Sequence, residues 1–216
     1  MNKTLLDLTA VIPLLPTLLR QRARSYYPQF APYLAKSDRI LDVGCGPGYF
    51  TDVLREEQHQ VVPLDLEPSP FLTHLPRVVY DGARMPFADG TFDWALIITV
   101  LHHAPDPLAV VAETARVAQR LIVVEDVVYS NWHKYLTWGI DSFYNLEFAG
   151  HPHSNQTEAG WRALFAEAGL GVTAVHRQWS TGLSWQRYSF GPIWSHIYVL
   201  ERVESEKKEH HLNGRW

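Results

Sequence analysis

Short apolar runs recur at 39–43, 60–64, 77–80, 93–98 and 120–128. Runs of this length read as strands. Segments at 48–57 and 106–118, with a shorter one at 69–75, read as helices. Strands that alternate with helices imply a parallel sheet covered on both faces, joined by right-handed crossovers. Leu121-Ile122-Val123-Val124 is apolar without a break, as a strand buried on both faces is. A further helix starts at Thr157, a side chain suited to capping, and runs to Ala168, where Gly169 stops it. Residues 171–179 and 193–201 read as a closing antiparallel pair, which brings the expected sheet to seven strands.

Residues 129–155 interrupt this rhythm. Trp132, Tyr135, Trp138, Phe143, Tyr144 and Phe148 crowd a stretch of partial helical spacing, followed by Gly150-His151-Pro152-His153. It leaves the carboxyl end of the fifth strand, the edge at which doubly wound sheets bind ligands. We read it as an aromatic-rich lid roofing a substrate pocket, with Tyr144, His151 and His153 as substrate contacts. The loop from Ser180 to Pro192 carries Trp185, a further contact candidate. The expected organisation is one domain over 1–202, with an N-terminal cap at 1–37, and a polar tail at 203–216. Residues 4–19 are apolar but broken by Asp7, Pro13 and Pro16, and Arg20-Gln21-Arg22-Ala23-Arg24 follows. A membrane span needs about 20 apolar residues, and a signal peptide needs a small-residue cleavage site. Two readings stay open for 4–24: a helix pair capping the crevice, or an apolar-then-basic patch resting on a membrane surface.

The chain is organised around Arg39-Ile40-Leu41-Asp42-Val43-Gly44-Cys45-Gly46-Pro47-Gly48. Strand, glycine turn, helix is the form of a nucleotide-binding crevice. A dinucleotide site spaces its glycines G-x-G-x-x-G, so that a pyrophosphate meets the helix N-terminus. Here they run Gly44-x-Gly46-x-Gly48 just after Asp42, whose charge suits a cationic ligand without phosphate. Seventeen residues on, Asp65 ends the second apolar run, and Asp81-Gly82 ends the third. Met85-Pro86-Phe87, Phe92-Asp93 and Val100-Leu101-His102-His103 follow in order.

The span from 39 to about 125 resembles the class I S-adenosylmethionine (SAM) methyltransferases, in particular the type 11 group that includes ubiquinone and menaquinone methyltransferases. The resemblance implies a Rossmann-like α/β fold, a seven-stranded, mostly parallel sheet flanked by helices. It also implies SAM as cofactor and S-adenosylhomocysteine (SAH) as product. The glycine turn, Gly44, Cys45, Gly46 and Gly48, would pass under the methionine part, with Asp42 orienting its ammonium. Asp65 would accept from the ribose hydroxyls, adenine would lie between Leu66 and Asp81-Gly82, and the methyl group would point from near Val100 towards His102.

Composition narrows the acceptor. The chain has 216 residues and a net charge of −4, which leaves no electrostatic footprint for nucleic acid. A small-molecule partner is therefore expected, and eight Trp, ten Tyr and nine Phe favour an apolar or aromatic one. Nothing speaks to oligomeric state. The single cysteine, Cys45, excludes an internal disulfide and suits a reducing cytoplasm; it reads either as a reactive thiol or as a small turn residue. For a protonated acceptor, His102, His103 and Asp126 are the candidate bases. Each has a structural alternative: a turn histidine bonded to backbone, or a capping carboxylate. No metal site is expected, because His102-His103 and His151/His153 would have to converge without a cysteine cluster. The expected activity is methyl transfer to a small acceptor at O, N or C. Its rivals are a lipid or quinone methyltransferase at the membrane surface and a non-catalytic SAM-binding module; the glycine spacing speaks against an NAD-dependent oxidoreductase.

Overall fold

The computed structural model describes residues 15–66, 76–129, 154–179 and 194–203. The expected helix at 69–75, most of the roof segment and the contact candidates Tyr144, His151, His153 and Trp185 lie outside them, as does the tail from 204. The described residues begin with α1 (Leu15–Phe30) and a 3-10 turn at Ala31–Tyr33; the part of the expected helix pair before 15 lies outside them. Then come β1 (Arg39–Val43), α2 (Tyr49–Glu56), β2 (Gln60–Asp65), β3 (Val78–Val79) and β4 (Phe92–Ile98). A 3-10 turn at Leu101–His103 leads to α3 (Pro107–Val117), β5 (Ala118–Val127), α4 (Glu158–Glu167), β6 (Leu170–Trp179) and β7 (Trp194–Arg202).

The strands form one seven-stranded sheet in the order β3-β2-β1-β4-β5-β7-β6. β1 to β5 are parallel, and β7 runs antiparallel to both β5 and β6. The strand order reverses at β1, whose two neighbours β2 and β4 carry the chain to opposite sides. That reversal opens a crevice at the carboxyl ends.

Side chains alternate across the sheet, as period 2 requires. Leu41, Val43, Leu64, Leu121 and Val123 bury one face with Val111 of α3 and Trp161 and Phe165 of α4. Ile40, Trp94, Leu96, Ile122 and Val124 bury the other with Tyr26 and Phe30 of α1 and Leu54 of α2. The starts of α3 and α4 are set by side-chain caps. Asp106 accepts from Ala109 N at 3.0 Å ahead of Pro107, and Thr157 accepts from Gly160 N at 3.1 Å. Such caps contribute about 1 kcal/mol each. α1 is held to α2 by Arg20 and Arg24, which both pair with Glu56. Part of the basic stretch after the apolar N-terminal run is thus engaged within the chain. Among the described residues no helix is long and apolar enough to cross a membrane.

Candidate functional site

The glycine turn is built by the two strands that flank it. Gly44 and Cys45 both donate their N–H to Leu64 O, at 2.8 and 3.1 Å, which pins the turn to the end of β2. Gly44 sits at φ +69°, and a Cβ there would meet Val100 Cγ2 at 2.6 Å. Only glycine lets this turn close on the one that follows β4. Gly46, at φ +48°, has nothing within 4 Å of where its Cβ would stand, so that side of the turn is open. Gly48, at φ +85°, is the N-cap of α2.

Two carboxylates frame the turn. Asp65, the last residue of β2, accepts from Gly46 N at 2.6 Å through Oδ2 and from Leu66 N at 2.7 Å through Oδ1. Asp42 lies beneath the turn, 2% exposed, and accepts from the Thr51 hydroxyl. Burial pushes its carboxyl up from 3.8 to about 6, against the Thr51 hydrogen bond, which lowers it. Arg77 Nη1 donates to Gly46 O at 2.7 Å, a contact not expected from the sequence. Burial also drives the Cys45 thiol up to about 12. It therefore stays protonated, which favours the small-residue reading over the reactive thiol.

Asp81 is exposed, and its Oδ1 accepts from Ala83 N and Arg84 N at 2.9 and 3.1 Å; these bonds hold its pKa below the usual carboxylate value. Gly82 sits at φ +82° with Leu66 Cδ2 3.0 Å from its Cβ position. Leu66 and Val79 keep about half their surface open. Gly44, Gly46, Asp65, Leu66, Gly82 and Val100 are thus drawn to one edge, with Asp42 below it.

The turn after β4 hangs from one buried side chain. Glu125 Oε1 accepts from Val100 N at 3.0 Å and Leu101 N at 2.7 Å, and Oε2 lies 2.6 Å from His102 Nδ1. Thr99 reaches the turn at φ +53°, with its N–H on Val124 O. His102 is 1% exposed, and its carbonyl accepts from Ser154 N at 2.9 Å. His102 thus sits in a turn, but its ring bonds the Glu125 carboxylate rather than backbone. His103 lies beside it, with ring centroids 4.0 Å apart.

Asp126 faces the opposite side of β5. Ser195 Oγ donates to its Oδ1, and Tyr26 Oη lies 2.6 Å from that same Oγ. Serine has one proton to give, so Tyr26 donates to Ser195 and Ser195 to Asp126. The chain ties α1 to β7 and β5, and it engages the carboxylate in structure. A third histidine, not singled out in the sequence, stands at this edge on β7. His196 Nε2 is 3.2 Å from Tyr129 Oη, and Nδ1 is 3.3 Å from Glu158 Oε2. In sequence it is one imidazole inside an apolar strand, with no motif to mark it.

Residues 17–175 match the family described as a methyltransferase domain. An uncharacterized methyltransferase of Mycobacterium sp. (strain JLS) is 34% identical over 88 residues, covering 37% of this chain and 34% of that protein. A ubiquinone biosynthesis O-methyltransferase of Vibrio cholerae is 27% identical over 92 residues, covering 38% of each. The chain thus matches about a third of the length of these relatives. Among solved structures, a SAM-dependent methyltransferase from Methanosarcina mazei superposes with TM-score 0.60 at 20% identity, covering 82% of this chain and 98% of that one. The 1,6-didemethyltoxoflavin-N1-methyltransferase of Burkholderia thailandensis, solved with its substrate and SAH, superposes with TM-score 0.61 at 16% identity, covering 86% and 79%. At these identities the likeness is one of fold.

Proposed function

Because the chain belongs to the methyltransferase domain family, we propose that it binds SAM along the Gly44–Gly48 turn and transfers its methyl group to a small apolar or aromatic acceptor. The observation that carries this is the convergence of three elements on one turn. Gly46 N meets Asp65 Oδ2 at 2.6 Å, while Gly44 approaches Val100 too closely for any side chain.

The residues present fit the ligand. Asp65 uses one lone pair on each oxygen for backbone N–H groups, which leaves acceptor sites for a ribose diol. Leu66 offers an exposed apolar surface beside Gly82 for a flat ring. Asp42 is a buried acid with a raised pKa, and a nearby ammonium group favours its ionised form. When bound, SAM supplies a methyl carbon on a sulfonium leaving group. The chain's part is to align the acceptor, which can contribute roughly 7–11 kcal/mol. Of the base candidates, we assign His102 and Asp126 to positioning, since Glu125 and Ser195 hold their polar atoms. The names of two similar proteins, a ubiquinone biosynthesis O-methyltransferase and a 1,6-didemethyltoxoflavin-N1-methyltransferase, support a small-molecule acceptor without choosing the atom.

Calorimetry with SAM and SAH, and with NAD as control, tests the reading. The adenosyl ligands should bind and NAD should not. Asp65→Ala should weaken SAH binding at least tenfold; unchanged affinity removes the ribose assignment.

A further inference from the structure

We propose that Tyr129, backed by His196 and Glu158, is the group that takes the proton from a hydroxyl acceptor. The inference rests on the methyl-transfer reading and deepens it by naming the acceptor class, a phenol or enol whose oxygen arrives protonated.

The three residues form a chain from a partly exposed carboxylate, through a buried imidazole, to an exposed hydroxyl-bearing ring. Tyr129 is the second residue past β5, at the carboxyl edge where ligands bind, and it is 58% exposed. Its Oη stands 3.2 Å from His196 Nε2, and His196 is 1% exposed. Glu158 Oε2 lies 3.3 Å from Nδ1, with Tyr198 Oη at 3.4 Å. A carboxylate beside Nδ1 favours the tautomer with its proton there, which leaves Nε2 as an acceptor for the Tyr129 hydroxyl. β7 is antiparallel to β5, and His196 is the cross-strand partner of Glu125. Directly opposed residues have Cβ atoms about 4.5–5.5 Å apart. The relay therefore stands one strand over from the carboxylate that holds Val100 and His102.

Burial favours the neutral form of His196. Desolvation lowers its pKa from the ordinary 6.5, and Arg177 of β6 and Arg162 of α4 lower it further, while Glu158 of α4 opposes them. Among the described residues, Tyr129, Tyr198 and Glu125 are the further titratable groups against it. Burial acts to raise the Glu158 carboxyl, but Arg177 and Arg162 both bond it and together hold it below the usual carboxylate value. Near neutral pH the set is thus an ionised carboxylate, a neutral imidazole and a phenol. In the transfer, the acceptor oxygen gains the methyl carbon as the carbon–sulfur bond breaks, its electron pair going to sulfur. The acceptor's proton passes to Tyr129 Oη and the Tyr129 proton to His196 Nε2, where the imidazolium is held beside Glu158 until the products leave; the proton then returns through the exposed Tyr129 hydroxyl to solvent. The products are a methyl ether, SAH and a proton.

The test labels the full-length protein with N-acetylimidazole, which acylates phenols, and reads the rate at Tyr129 by mass spectrometry. Tyr129 should react at least tenfold faster at pH 7.5 than in His196→Gln. Its rate should fall on acidification with an inflection below 6.5, the ordinary histidine value. Glu158→Gln should move that inflection further to acid, because Glu158 raises the imidazole's pKa. Equal rates with and without His196, or a wild-type profile with no such inflection, overturn the relay. A second arm follows SAH formed from SAM with catechol as probe. There Tyr129→Phe, which removes one hydroxyl and serves if His196→Gln does not fold, should lower kcat at least thirtyfold with the KM for SAM unchanged. Equal kcat, or no transfer to catechol by protein that binds SAH, overturns the hydroxyl assignment. Failure to bind SAH instead removes the methyl-transfer reading itself.

Discussion

Replacing Asp42 with Asn should make the ligand-free protein more stable at pH 8 and much less so at pH 5. The carboxyl is buried beneath the glycine turn and pushed from 3.8 to about 6, with desolvation the largest cause. Asp65 adds repulsion, while the Thr51 hydroxyl, Arg55 and Arg77 relieve part of the cost. In the unfolded chain the group titrates near its ordinary value. Between the two values the folded chain holds more protons than the unfolded one, so stability falls as pH rises through that window. Above it, ionised Asp42 costs about 3 kcal/mol, and at pH 5 about half of that. Asn keeps an acceptor for Thr51 and never ionises. Urea unfolding of both proteins at the two pH values measures the difference. For a chain of this size 3 kcal/mol corresponds to about 6–12 °C in Tm, an upper bound because Asn carries its own burial cost. An Asp42→Asn protein less stable than wild type at pH 8, or one whose gain is the same at both pH values, would refute the reasoning. A corollary joins stability to binding. SAH carries an ammonium group, so it should stabilise wild type more than Asp42→Asn at pH 8.

Three further outcomes follow from the same geometry. Gly44→Ala and Gly46→Ala should each lose about 1–3 kcal/mol for the positive φ; Gly44→Ala should lose more, because its Cβ strikes Val100, whereas Gly46→Ala has open space and should add only a loss of SAH binding. Urea titration and calorimetry on the pair separate the two effects. Glu125→Ala strips the acceptor from two backbone N–H groups and His102, so a loss of about 3–5 kcal/mol is expected, with faster amide exchange at Val100 and Leu101. Ser195→Ala breaks the bridge between Tyr26 and Asp126 and should cost about 1–3 kcal/mol, with exchange protection lost first in α1.

The scaffold was legible because it depends on local period. Each expected strand falls within two residues of an observed one, and β5 begins at Ala118 because α3 passes into it without a loop. The glycine turn was legible for a similar reason: its spacing and the acids at fixed distances after it are written in one line of sequence. Asp126 was not, because a charged residue at a strand end reads alike whether it faces a pocket or Ser195. Only the register of β7, which returns from the far end of the chain, sets Ser195 opposite Asp126 and His196 opposite Glu125. Arg77 escaped notice for the same reason, since its hydrogen bond to Gly46 spans 31 residues.

Three acidic side chains are buried near the carboxyl ends of β1 and β5, the strands on either side of β4, and the donors around each decide what it does. Glu125 is surrounded by two N–H groups and an imidazole, which together offset its loss of water. Asp126 ends a hydroxyl chain from α1 and retains 8% exposure. Asp42 has one hydroxyl donor and almost no exposure, and its pKa is raised accordingly. A carboxylate with complete partners is a strut: any new ligand would have to displace bonds already made. Asp42 is the one of the three whose charge is under-compensated, and it lies directly below the turn whose Gly46 side is open. A cation arriving there gains what the fold leaves unsatisfied. The same residue that weakens the ligand-free protein near neutral pH is therefore the one best placed to reward a ligand bearing an ammonium group.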